Sequence, residues 1–133
     1  NSVSYMMNKK IFNELNGYDE SLAYEDLDYW LRVLDNHKII FIDKFLTQKR
    51  NLSTSLGSQF YRKSKFSNKM DLSTLKIYKK VLKKHKSNKT ILKALLKRIH
   101  HSMEQSFKNK KMSVFLRFFQ IKILTNLYIL LAK

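Results

Sequence analysis

The sequence predicts an α/β fragment of short strands and helices, followed by a mainly α-helical tail. Three observations favour this division. Residues 1 to 58 contain short apolar runs bounded by turn residues, which is typical of strands. Residues 59 to 133 instead place apolar side chains three and four positions apart, as amphipathic helices do. The balance of charge changes near the same place, so we expect two regions with different surfaces.

The first region alternates predicted strands and helices. Asn8 is a suitable cap for a short helix, and Asn16-Gly17 is a suitable end for it. A second helix is predicted from about Tyr24 to Asp35, because its apolar residues recur at helical spacing. The predicted elements are, in order, a strand over residues 3 to 7, a helix over 9 to 15, a helix over 24 to 35, and strands over 38 to 43 and 45 to 50.

The tail is predicted as three helices. Asp71 or Ser73 is expected to cap the first, and Ser87 or Asn88 the second. The last, Met112 to Ala132, has 15 apolar residues among 21. Its length would span a bilayer, but the two charges near its middle each cost ~2.5–3.5 kcal/mol on insertion scales. We therefore expect a core helix or an interfacial helix, and both alternatives stay open.

The charge is strongly asymmetric along the chain. Residues 1 to 43 carry eight acids and four bases, a net of −4, whereas residues 44 to 133 carry two acids and 23 bases, a net of +21. Such a basic region attracts polyanions through a salt-screened field. Lysine outnumbers arginine 22 to 5, which argues against nucleic-acid recognition, because bidentate contacts to bases and phosphates favour arginine. The absence of cysteine excludes thiolate metal sites and a cysteine nucleophile, and it fits a cytoplasmic location.

The predicted helix over residues 24 to 35 carries a concentration of carboxylates. At about 100° per residue, Asp26 falls on the same arc as most of the apolar side chains, and we expect this arc to face inward. A carboxylate on a packed face needs a partner or a function. The predicted inward residues are Asp26, Leu27, Trp30, Leu31, Val33 and Leu34, and the predicted outward residues are Glu25, Asp28, Arg32 and Asp35. Asp28 and Arg32 lie four positions apart with the acid first and can pair weakly. The plainer interpretation is that acids in a first turn complement the helix dipole, by ~0.3–1 kcal/mol each.

Two motifs in this region resemble a known family. Gly17-Tyr18-Asp19-Glu20 is followed by Glu25-Asp26-x-Asp28-x-x-x-Arg32. This combination resembles the carboxyl-terminal half of family 2 glycosyltransferases, inverting enzymes of GT-A fold that use nucleotide-diphosphate sugars. The resemblance covers roughly residues 1 to 58 and implies the carboxyl-terminal part of a GT-A nucleotide-diphospho-sugar transferase fold there.

The resemblance implies roles for particular residues. Asp26 would be the general base that deprotonates the acceptor hydroxyl, which is the proton transfer that inverting attack requires. Glu25 would shape the acceptor pocket, and Trp30 would form its wall. Gly17, Tyr18 and Asp19 would contact substrate, and Arg50 would contact the diphosphate. The sequence departs from the family at Asn16, where a glycine is usual, and at residues 50 to 52, where Arg-Asn-Leu replaces Arg-x-His and removes a possible metal ligand.

The family's nucleotide-binding half, with its Asp-x-Asp motif, has no counterpart in these 133 residues. The implied divalent cation, Mg²⁺ or Mn²⁺, therefore has no ligands in this chain. We expect a fragment whose true amino terminus lies upstream and which alone does not transfer sugar. The expected partners are a nucleotide-diphosphate sugar and a glycan or lipid-linked acceptor, with peripheral contact at the inner face of the cell membrane.

Two alternatives from other classes remain open. In the first, the basic helices form a module that binds anionic membrane or nucleic acid without catalysis. In the second, the chain is an inactive relic that only pairs with another protein. The adjacent His100 and His101 diverge on a helix and are predicted to be surface residues and not metal ligands.

Overall fold

The computed structural model describes residues 4 to 48 and 65 to 132, and within these ranges every regular element is helical. The chain forms two compact units, Asn1–Met70 and Asp71–Lys133. The domain boundary predicted between residues 58 and 59 lies outside the described ranges. The helices are α1 (Lys9–Glu14), α2 (Glu25–Asn36), α3 (Lys65–Lys84), α4 (Lys89–Lys108) and α5 (Met112–Leu131).

The predicted α/β class is wrong for the described residues, because none of the predicted strands is present there. Residues 4 to 7 and 38 to 48 form no sheet, and residues 49 and 50 lie outside the described ranges. A strand exists only when its backbone groups pair with another strand. In the described part of residues 38 to 48, the one backbone hydrogen bond runs from Lys44 N to Ile42 O, at 2.9 Å. A GT-A fold requires a central β-sheet, so that architecture is also not observed here.

The ends of α1 follow the sequence prediction. Asn8 caps the helix, since its Oδ1 accepts a hydrogen bond from Lys10 N at 2.9 Å. Asn16 and Gly17 then adopt left-handed backbone angles, with φ of 56° and 63°. Gly17 N donates to Phe12 O at 2.8 Å, which closes the turn. A Cβ on Gly17 would lie 3.0 Å from the Phe12 ring, so the position favours glycine for two reasons.

The three predicted helices of the tail are confirmed, but the predicted start of the first one is wrong. Helix α3 begins at Lys65, so the caps predicted at Asp71 and Ser73 are wrong. Ser73 is instead buried within the helix. The cap at Asn88 is confirmed, because its Oδ1 accepts a hydrogen bond from Ile91 N at 3.1 Å.

The second unit has a core shared by α3, α4 and α5. Tyr78 links two of these helices, because its hydroxyl donates to Arg98 O at 3.2 Å and lies 3.0 Å from Ser102 Oγ. Lys111 Nζ forms an ion pair with Asp71 Oδ2 that joins the start of α5 to α3. One face of α5 completes the core. The core consists of Leu75, Tyr78, Leu82, Leu92, Leu95, Ile99, Met103, Phe118 and Ile121.

Candidate functional site

Helix α2 is rotated relative to the sequence prediction. Asp28 is only 3% exposed, although it was predicted to face water. Leu27 and Leu34, predicted to face inward, are 40% and 55% exposed. Tyr29 and Val33 are buried, so the inner face lies between the two predicted arcs. The apolar pattern alone did not determine the rotation, because a charged pair occupies part of the inner face.

That pair forms the Arg32 clamp, which consists of Asp28, Arg32 and the carbonyl groups of residues 15 and 17. Arg32 Nε donates to Asp28 Oδ2 at 2.8 Å. Its NH1 and NH2 groups donate to Leu15 O and Gly17 O, the latter at 2.6 Å. The guanidinium carbon also lies 5.6 Å from the centre of the Tyr29 ring. The clamp therefore fixes the left-handed turn after α1 against α2.

Five aromatic side chains surround this turn and form the aromatic cluster. Tyr5 meets Trp30 edge to face, with ring centres 4.2 Å apart. Tyr18 contacts both Phe12 and Tyr29 in the same manner, at 5.3 and 5.4 Å. Tyr29 also contacts Trp30 at 5.3 Å. These perpendicular contacts place the positive edge of one ring on the negative face of the next, so the cluster is specifically packed.

Asp26 lies at the edge of the aromatic cluster. Its side chain is partly exposed, and its Oδ1 accepts a hydrogen bond from Leu27 N at 2.8 Å. Burial raises the pKa of the Tyr5 phenol, and its 2.9 Å hydrogen bond with Tyr18 and the nearby Asp26 charge raise this pKa further. A hydrogen bond with Trp30 opposes the shift. Asp26, Trp30 and a neutral phenol are thus neighbours.

The other predicted site residues are more scattered. Asp19 Oδ1 accepts hydrogen bonds from Ser21 N at 3.2 Å and Ser21 Oγ at 2.6 Å, which stabilise the loop before α2. Glu25 is exposed at the first position of α2, and Gly17 is buried in the clamp. Arg50 lies outside the described residues. The structure therefore brings Tyr18, Asp26 and Trp30 to one cluster, and the remaining roles stay predictions.

Two residues of this site were not identified from the sequence as functional. Tyr5 was treated as part of a strand, and Arg32 only as a weak surface partner of Asp28. The four-residue spacing of Asp28 and Arg32 did predict their pairing. Nothing in the sequence indicated that Arg32 also binds the carbonyl groups of Leu15 and Gly17.

Metal binding has no support in the described ranges, where no group of three His, Asp or Glu side chains could hold an ion. His100 and His101 are both exposed, as predicted. The divalent cation implied by the sequence resemblance stays a prediction.

A second candidate surface is the outer face of α5. Leu116, Ile123 and Leu127 are 52%, 53% and 47% exposed, and Leu130 is 81% exposed. Their spacing of three or four places them on one stripe, opposite the buried Phe118, Ile121 and Thr125. Helix α5 is thus apolar on two opposite faces. We call the stripe of Leu116, Phe119, Ile123, Leu127 and Leu130 the outer face.

Charged groups border the outer face. Arg117 and Lys122 lie on α5 between the outer face and the buried face, on opposite sides of the helix by the 100° rule. Residues 71 to 133 contain sixteen basic and two acidic side chains, a net charge of +14. A particularly dense series of exposed lysines follows the second half of α3 into α4: Lys76, Lys79, Lys80, Lys83, Lys84, Lys86 and Lys89.

Comparison of the chain with protein-family models, characterised proteins and solved structures gave no match. The described part of the chain is helical, whereas the resembled family has a central sheet. The assignment to family 2 glycosyltransferases is therefore wrong, although the motif that suggested it does form a defined local structure. Helix α5 is the one helix in the described ranges that is long and apolar enough to cross a membrane, and 17% of its most apolar window is buried.

Proposed function

We propose that this chain is a basic helical module that attaches peripherally to an anionic membrane surface, with the outer face of α5 as its lipid contact. The observation that carries the proposal is the continuous apolar stripe on α5, which faces away from the core of its own unit. We further propose that the membrane is the inner face of the cell membrane, because a chain without cysteine fits the cytoplasmic side.

An interfacial position suits α5 better than a spanning one. The helix already uses Phe118 and Ile121 to pack against α3 and α4, and a spanning helix would have to abandon those contacts. An in-plane helix keeps them and turns only its outer face toward the acyl chains. Arg117 and Lys122 would then lie at the level of the lipid phosphates, where long basic side chains extend naturally.

The charge of the second unit supports an anionic partner. Each basic side chain held near an anionic membrane contributes ~1 kcal/mol, and the contribution falls off within a Debye length. The lysine series from Lys76 to Lys89 can supply several such contacts. A nucleic acid would also bind these basic side chains, but it would not bury the exposed leucine and isoleucine stripe. We therefore propose lipid as the partner.

The first test is a vesicle sedimentation titration. The whole chain is expected to bind vesicles of phosphatidylglycerol and phosphatidylcholine, and to bind pure phosphatidylcholine much more weakly. The double variant Leu127→Gln/Leu130→Gln should lower the partition coefficient roughly 30- to 150-fold, because two side chains lose ~2–3 kcal/mol of apolar burial.

A matched control uses the same substitution on another helix. Leu72 on α3 is 46% exposed, close to the 47% of Leu127, but it lies outside the outer face. Leu72→Gln should leave the partition coefficient within about twofold if only the α5 stripe contacts lipid. Equal loss with both substitutions, or binding to duplex DNA with no binding to vesicles, would contradict the proposal.

A second candidate function rests on a different observation, the position of Asp26 beside Trp30 and Tyr5. We propose that, if the chain takes part in catalysis, it does so in sugar transfer from a nucleotide-diphosphate sugar to a glycan or lipid-linked acceptor. Asp26 would accept the proton of the attacking hydroxyl, and Trp30 would pack against the acceptor ring. In the described ranges, Asp26 makes no hydrogen bond apart from the one to Leu27 N, so a carboxylate oxygen is available.

The test of this candidate is sugar transfer from a nucleotide-diphosphate sugar to a lipid-linked acceptor by the whole polypeptide that contains these residues. Asp26→Asn should lower turnover by ~10²–10⁴-fold while donor binding persists. Glu104→Gln is the control, since Glu104 is exposed on α4, in the other unit. Unchanged turnover in the Asp26 variant would exclude it as the base.

A further inference from the structure

The first unit contains an apolar segment that the membrane proposal leaves unused. In residues 38 to 48, which we call the apolar loop, Ile40 and Phe41 are 86% and 85% exposed and Phe45 is fully exposed. Ile39, Ile42 and Leu46 are exposed as well. Six large apolar side chains in eight positions form a larger exposed group than isolated surface residues do, and such a group marks an interaction site.

The charges of the apolar loop indicate what covers it. Lys38 precedes the first apolar run and Lys44 follows it, and both are exposed. The sequence continues with Lys49-Arg50 immediately after the loop. Apolar side chains bracketed by basic ones are complementary to a bilayer with anionic headgroups, since the rings can enter the interface while the ammonium groups reach phosphates. Asp43 is the one opposing charge in the loop, and it lies next to Lys44.

A second copy of the chain fits the apolar loop less well. The loop carries two exposed lysines, Lys38 and Lys44, and one acid, Asp43. Two identical loops packed against each other would therefore bring an excess of like charge together, whereas an anionic bilayer neutralises it.

We propose that the apolar loop is a second lipid contact, which inserts the side chains of Ile40, Phe41 and Phe45 into the interfacial region of an anionic bilayer. The inference rests on the proposed membrane attachment and adds a second, independent anchor to it. The loop backbone stays at the level of the headgroups, where water and phosphate satisfy its N–H and C=O groups, because irregular backbone is not tolerated in the hydrocarbon layer. Two anchors on one chain raise the affinity beyond that of either alone.

The experiment uses the whole chain with a fluorescent reporter, Phe45→Trp, and vesicles of phosphatidylglycerol and phosphatidylcholine with brominated acyl chains. We expect a blue shift and quenching beyond the signal of the parent chain, whose single Trp30 lies in the aromatic cluster. Asn36→Trp is the matched control, because Asn36 is exposed at the end of α2 and outside the loop. The Asn36→Trp variant should show neither the blue shift nor the quenching.

A second measurement assesses the contribution of the loop to affinity. Phe41→Ser/Phe45→Ser should lower the partition coefficient roughly 10- to 30-fold, whereas Met6→Ser, at an apolar position 94% exposed in the same unit, should leave it nearly unchanged. If the chain binds vesicles and the Phe45→Trp reporter is not quenched, the loop proposal fails and the α5 proposal stands. If no vesicle binding occurs, both fail. Concentration-dependent self-association that Phe41→Ser/Phe45→Ser abolishes, with no quenching, would assign the loop to a second copy.

Discussion

The two units of the chain use different means to hold their structure. The first relies on a charged clamp and an aromatic cluster around a left-handed turn, and it leaves a long apolar loop exposed. The second packs α4, α5 and the larger part of α3 around an apolar core in which Tyr78 and Phe118 accompany aliphatic side chains. Both units nevertheless present apolar side chains next to lysines on their surfaces. The two units therefore share a type of surface, apolar side chains beside lysines, although different contacts stabilise them. The following substitutions test whether each unit can be destabilised without the other.

The largest effect is expected in the core of the second unit. Ile99 is fully buried, so Ile99→Ala should cost about 2–5 kcal/mol in the free energy of unfolding, through lost burial and a cavity. Leu130, 81% exposed on the outer face, is the matched control, and Leu130→Ala should change this free energy by no more than about 0.5 kcal/mol. Urea titration followed by circular dichroism measures both. Equal destabilisation would mean that the outer face is structural.

The next largest effect is expected at the Arg32 clamp. Arg32→Ala removes the ion pair from the buried Asp28 carboxylate and frees the carbonyl groups of Leu15 and Gly17. Removing one member of a buried pair costs 3–5 kcal/mol, and because Arg32 is itself 29% exposed we expect about 2–3 kcal/mol. Trp30 fluorescence during urea titration reports the first unit. Loss of the helical signal of the second unit in the same variant would contradict the separation.

A smaller effect is expected at the turn that the clamp holds. Gly17→Ala forces a Cβ into a left-handed position and toward the Phe12 ring, and should cost about 1–2 kcal/mol. Asn16→Gly is the companion variant, because Asn16 shares the left-handed conformation and glycine adopts it without strain. It should be neutral or slightly stabilising. Thermal unfolding monitored by Trp30 fluorescence distinguishes the two outcomes.

The smallest effect concerns pH. The pKa of Tyr5 is raised in the folded chain, chiefly by burial, so folding favours the neutral phenol. The stabilisation is fully present below the unfolded pKa of about 10 and is lost as the pH rises above it. Burial also raises the pKa of Tyr29, so the ultraviolet absorbance of tyrosinate should show late-ionising groups, one of which Tyr5→Phe removes. An unchanged titration curve in that variant would contradict the environment described for Tyr5.

The helices were predicted more accurately from the sequence than the segments that connect them. The cap at Asn8, the end of α1 before Asn16-Gly17 and the cap at Asn88, which was one of two predicted, are local features determined by neighbouring residues, and the structure confirms them. The strands were wrong because a strand depends on a partner that no local pattern reveals. Helix α3 begins earlier than its predicted caps because its first turns are packed, with Ser67 and Met70 buried, and this packing outweighs the weak helix propensity of Ser67 and Asn68.

The candidate sites show the same division between local and distant information. The pairing of Asp28 with Arg32 followed from their spacing, but its burial depended on carbonyl groups beyond the helix. For α5 the sequence left a core helix and an interfacial helix as alternatives. The structure gives this helix a buried face, which confirms the core alternative for one side, and an exposed apolar face, for which the interfacial alternative stays a prediction.

The most direct test of the proposed membrane attachment is the depth of the outer face in a bilayer. The chain contains no cysteine, so a single introduced one can carry a nitroxide label without background. A label at Leu127→Cys, on chain bound to phosphatidylglycerol-containing vesicles, should be relaxed more by oxygen than by a water-soluble nickel complex. A label at Ala94→Cys, an exposed position on α4, should show the opposite. If both labels are relaxed mainly by the nickel complex, the outer face of α5 does not enter lipid and the account is contradicted.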